Sequence, residues 1–116
     1  MAGQHPKLIL IAADEVLVRN LLRQVLQRDY EVLIAANFSE ALQLSRRTEG
    51  VIHILLCGIK LPGMNELSLS RQIRAERPQI KVLFIRGALR KPFEIGELRT
   101  QLEQLLAEPM VEPENP

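Results

Sequence analysis

Ile54–Met64 reads ILLCGIKLPGM. The run ILLC is apolar at every position, which marks a strand buried on both faces, as in a parallel sheet covered by helices. The chain then passes directly into a segment carrying Pro62 and Gly63, a turn signal. In open α/β sheets, the region beyond the carboxyl end of a strand is where reactive groups gather. Here that place holds Cys57 and Gly58, with no carboxylate, hydroxyl or imidazole.

Outward from this stretch, strand and helix signals alternate. Lys7–Ala12 (KLILIA), Glu31–Ala35 (EVLIA), Val51–Cys57 (VIHILLC) and Ile80–Ile85 (IKVLFI) are apolar runs of strand length. Between the first two, Leu17, Leu21, Leu22, Val25 and Leu26 recur at helical spacing over Val16–Gln27, with Asp14 placed to cap the start. Asn37 and Glu40, three residues apart, open a second helix through Ala41, Leu42 and Leu44. Leu67, Leu69 and Ile73 mark a third that stops before Pro78. A fourth, from Glu94 to Ala107, carries Ile95, Leu98, Leu102, Leu105 and Leu106 on one face. The expected organisation is an arm over residues 1–6, one α/β domain over 7–107, and a Pro- and Glu-rich tail over 108–116.

At 116 residues the chain is long enough to bury a core of its own. The single cysteine, Cys57, excludes an internal disulfide, and a reducing cytoplasm is the expected setting. No apolar run reaches membrane-spanning length. Net charge is only +1 but unevenly spread. Residues 71–91 hold seven basic side chains against Glu76, and residues 94–114 hold six glutamates against Arg99. The basic stretch contains one aromatic, Phe84, so it offers no stacking platform for nucleic acid, and none is expected as a partner. Cys57 in a strand reads as a small hydrophobe rather than a reactive thiol. Two histidines, His5 and His53, and one cysteine, scattered in this way, do not make up the ligand set of a metal site.

The sequence resembles the receiver domains of two-component response regulators. The residues that carry the likeness are LIAADE after the first strand, AANFSEAL at the second helix, ILLCGIKLPGM after the third strand and KPF before the last helix. It runs in order from Lys7 to about Leu106. An active receiver, by that resemblance, has an acidic pair holding magnesium, a phosphoacceptor aspartate ending the third strand, a hydroxyl ending the fourth and a lysine before proline. Those positions fall on Ala13 and Asp14, on Gly58, on Arg86 and on Lys91. Gly58 has no group to phosphorylate, Ala13 supplies no oxygen, and Arg86 replaces a small hydroxyl by a large cation. Asp14 and Lys91 survive, with Glu15 beside Asp14 as a weak metal candidate. No cofactor and no enzymatic activity are expected.

A second departure concerns length. Five residues, Arg86–Arg90, lie between Ile85 and Lys91, where the family has a helix and a fifth strand. A parallel crossover takes a dozen residues or more. The expected fold is therefore flavodoxin-like, with four parallel strands in the order 2-1-3-4 and about four helices, and the fourth strand becomes an edge.

The expected role is a phosphorylation-independent module for protein contacts in signalling. It would self-associate as a symmetric dimer through Val82, Phe84, Ile85, Arg86 and Arg90, with the basic stretch meeting a partner's acidic one. The alternatives are a working phosphorelay receiver with an unusual acceptor or a metal site at Asp14 and Glu15, and a small-molecule sensor in the space left by Gly58 and Ala13.

Overall fold

The computed structural model of the chain describes residues 6–58, 66–85 and 92–107. The elements alternate strictly: β1 (Leu8–Ala12), α1 (Val16–Leu26), β2 (Glu31–Ala35), α2 (Phe38–Arg47), β3 (Ile54–Gly58), α3 (Glu66–Glu76), β4 (Lys81–Ile85) and α4 (Pro92–Ala107). The strands form one parallel sheet in the order β2-β1-β3-β4. This is the expected flavodoxin-like order, with β2 and β4 at the two edges.

Alternation along each strand sends side chains to opposite faces, and each face builds its own core. On one face, Leu10, Ala12, Leu55 and Cys57 are covered by Ala41 of α2 and by Leu69 and Ile73 of α3, with Val82 and Phe84 of β4 packed half-buried against them. On the other, Ile9, Ile11, Ile54 and Leu56 meet Leu22 and Leu26 of α1 and Leu98 and Leu102 of α4, with Leu83 of β4 at the margin. The last helix thus lies beside α1. Arg99 on α4 fixes it there by pairing with Asp29 at 2.5 Å, just beyond the end of α1. Lys81, at the start of β4, donates its ammonium to the Leu105 carbonyl in the last turn of α4. That turn has no basic residue of its own, and the cation meets the negative end of the helix dipole.

Local signals account for the helix ends unevenly. The Asn37 side chain accepts the Glu40 N–H at 2.9 Å and the Glu40 carboxylate accepts the Ala36 N–H at 2.7 Å, a reciprocal cap that starts α2 as expected. Asp14 does not cap α1. The N-cap is Glu15, with no side-chain cap hydrogen bond, so Asp14 sits one residue too early. Leu17 is likewise not a core residue: it is 82% exposed, because the first turn of α1 stands beyond the end of the sheet. The strand expected over Val51–Cys57 is Ile54–Gly58, shifted toward its carboxyl end.

Within the layer formed by α2 and α3, Arg77, after α3, ties the two helices together. Its guanidinium donates to the Ser45 carbonyl (2.7 Å), the Ser45 hydroxyl (2.9 Å), the Thr48 carbonyl (2.7 Å) and the Gly50 carbonyl (2.8 Å). Ser45 is buried. Carbonyls at the end of α2 lack intrahelical partners, and a forked cation satisfies several at once. Gly50 adopts φ +91°, a conformation glycine reaches without steric cost, and this presents its carbonyl to Arg77. The exposed Arg46–Glu76 pair (2.7 Å) also joins α2 to α3, but screened surface pairs contribute little. Arg77→Ala is expected to lower stability by about 2–3 kcal/mol, since buried acceptors lose their donor. Arg77→Lys should recover only part of that. Urea titrations of the three chains at equal slope will measure it.

Candidate functional site

Parallel topology brings the carboxyl ends of all four strands to one edge of the sheet. The connections diverge there between β1, which leads to β2 on one side, and β3, its neighbour on the other. This divergence is the crevice where open α/β sheets bind ligands. Ala12 and Cys57 face each other across it in register, and Gly58, in register with Ile85, ends β3. Ala13 follows β1, 3% exposed, and its N–H donates to the Ala35 carbonyl at 3.1 Å. Asp14 and Glu15 come next and both are exposed.

The fold therefore gathers Ala13, Asp14, Glu15 and Gly58 at one end, as the sequence implied. Arg86, Arg90 and Lys91, together with the Pro62–Gly63 segment, lie outside the described residues. Val82 and Phe84 are half-buried on the face shared with α3, and Ile85 closes β4. Cys57 is fully buried, in keeping with a packing role. Two features here carry no sequence signal. Arg19 reaches back from α1 to donate to the Ala13 carbonyl at 2.8 Å, which pins the β1–α1 connection. Val16 and Leu17 form an exposed apolar pair beside Asp14 and Glu15.

As a place for a hard cation, the described part of the crevice is poor. Magnesium takes oxygen ligands in octahedral geometry. Ala13 offers a methyl group and Gly58 only backbone, which leaves Asp14 and Glu15, both on the solvent side. These residues do not fit a magnesium site. Among the described residues, no three His, Cys, Asp or Glu side chains are grouped to hold a metal ion.

The family is settled by comparison with known proteins. The model for the response regulator receiver domain matches residues 9–107. The chain belongs to that family. Among its relatives are the sensor kinase CckA of Brucella abortus, 28% identical over 84% of this chain and 12% of that protein, and the aerobic respiration control protein ArcA of Escherichia coli K12, 29% identical over 88% and 49%. Among solved structures, the receiver domain of the hybrid histidine kinase CckA superposes with a TM-score of 0.75 at 32% identity, over 85% of this chain and 98% of that one. The receiver domain of an HD domain-containing protein from Pseudomonas fluorescens has a TM-score of 0.77 at 22% identity, over 89% and 95%, a likeness of fold. This receiver domain spans about half, or less, of the length of these two curated relatives. Among its described residues, no helix is long and apolar enough to cross a membrane.

The opposite end of the sheet holds a titrating group. His53, just before β3, accepts the Leu8 N–H on Nδ1 at 3.0 Å, so that nitrogen must be unprotonated. Burial, aided by the nearby Lys7 charge, holds its pKa below the usual 6.5. As pH falls, the unfolded chain takes up this proton first. The contribution is therefore complete above the unfolded value of 6.5 and is lost downward through the folded pKa. Melting temperature should fall as pH drops below about 6.5, with a shallower fall in His53→Gln. Equal slopes in the two chains would mean that other groups carry it.

Proposed function

We propose that this receiver domain works without phosphorylation, as a cytoplasmic protein-contact module of two-component signalling that pairs with a second copy. The observation that carries the reading is Gly58. It ends β3, in register with Ile85 and beside Cys57, at the place where the resemblance puts the phosphoacceptor aspartate. Phosphoryl transfer in this family depends on a carboxylate acceptor, with positioning and charge neutralisation by metal and lysine. Glycine provides no acceptor, and the methyl group of Ala13 provides no metal ligand. Arg86 and Lys91 would then have no phosphoryl group to contact, and residues 108–116 would be a tail or linker.

Self-association is favoured by the edge. Six residues separate Ile85 from Pro92, too few for a crossover to another parallel strand, so β4 has only β3 beside it among the described residues. Val82, Leu83 and Phe84 are half-buried rather than covered. An unblocked apolar edge of this kind invites another strand. The charged stretches play a smaller part than their sequence suggests. Arg71 and Arg74 stand on α3 and Glu97 and Glu103 on α4, on opposite faces of the sheet.

Two measurements test this. Incubation with a small phosphodonor and magnesium should leave the intact mass unchanged; an added phosphoryl group would overturn phosphorylation independence and favour an unusual acceptor. Sedimentation equilibrium on the order of tens of micromolar should show a dimer that Phe84→Lys, checked for folding by circular dichroism, shifts to monomer. A monomeric wild-type chain would overturn self-association.

A further inference from the structure

We infer that the two copies join as one continuous sheet, with β4 pairing antiparallel to its own counterpart and the two-fold axis passing at Leu83. This rests on the self-association proposed above and specifies its register. The starting point is one hydrogen bond. The Lys81 N–H donates to the His53 carbonyl at 3.1 Å, so the backbone of Lys81 turns toward β3. In a parallel ladder, alternate residues turn to the same side. Leu83 and Ile85 therefore also turn to β3, while the N–H and C=O groups of Val82 and Phe84 turn outward.

Those outward groups fit a second copy of themselves. In an antiparallel pair, two residues opposite each other exchange both backbone bonds where both point into the gap. Setting Val82 opposite Phe84 of the second copy meets that condition twice by symmetry, and it uses the outward groups of both residues. Leu83 then faces its own counterpart as a non-hydrogen-bonded pair, with Cα atoms about 4.5 Å apart. Val82 packs against Phe84 across the joint on the α3 face, and the two Leu83 side chains meet on the α4 face. Lys81 falls opposite Ile85, which keeps the two ammonium groups about 13 Å apart, beyond effective repulsion in salt.

The other edge is a weaker candidate. β2 is clasped by α2 on one face and α1 on the other, and Glu31 sits at its start. β4 is held less closely: Leu83 packs at the margin of the α4 layer and Lys81 bonds the Leu105 carbonyl. The same geometry sets how the charged helices of the two copies stand. A two-fold perpendicular to the sheet keeps like faces together, so the arginine-bearing α3 helices come to lie on the same side. The intervening strands hold them about 14 Å apart, wider than the 8–10 Å of packed helices.

Cross-linking reads the register directly. Under mild oxidation, Leu83→Cys should form an inter-chain disulfide roughly tenfold faster than Val82→Cys, whose two copies stand diagonally beyond bridging distance. The wild-type chain is the control, since its Cys57 is buried. Circular dichroism confirms that each variant is folded. In the unmodified chain, exchange of the Val82 and Phe84 amides should slow as concentration rises, while that of Leu83, already bonded to β3, changes less. A sedimenting dimer in which Val82→Cys links as fast as Leu83→Cys, or in which those amides ignore concentration, overturns this register and leaves self-association standing. A monomer throughout overturns both.

Discussion

Parallel strands cannot be joined by a tight turn, and this limit governs the whole molecule. Every strand after β1 is reached through a helix, and α1, α2 and α3 make three such steps. After Ile85 only six residues remain before α4 begins, too few to reach another parallel strand. Among the described residues β4 is therefore the last strand, and the last helix finds its place directly. It does so beside α1, where Leu98 and Leu102 complete a core that Leu22 and Leu26 begin. The half-buried state of Val82, Leu83 and Phe84 follows from the same arithmetic.

The fold was legible because each strand is apolar on both faces and each helix on one. Continuous runs such as ILLC and VLFI specify a sheet covered twice, and the spacing of Leu98 and Leu102 specifies the seam of α4. What escaped the pattern depends on where an element lies along the sheet. Leu17 shares the periodicity of Leu21, yet it stands one turn above the last sheet residue and remains in water. Asp14 has the chemistry of a cap, but the chain turns into helix one residue later. Arg77 gave no sign of its role, since three of its four acceptors are carbonyls from 27 to 32 residues away and any residue supplies a carbonyl.

The candidate site was legible in a different sense. Topology alone guarantees that residues after β1 and β3 meet at one end of the sheet, so Ala13, Asp14 and Gly58 had to be neighbours once the strand order was fixed. Their identities then limit what that end can do. The architecture that elsewhere in the family supports chemistry is kept, with Arg19 holding the β1–α1 connection in place, while the side chains at its centre are a methyl group and a hydrogen atom.

The bond from Lys81 to the Leu105 carbonyl fixes where the last helix ends relative to the edge strand. It tethers the end of α4 to the beginning of the edge strand, so the last turn of α4 lies at the same corner where β4 starts. For two copies joined along β4 with opposite strand directions, those corners are diagonal to one another. The two α4 ends are then held at opposite ends of the joint rather than side by side.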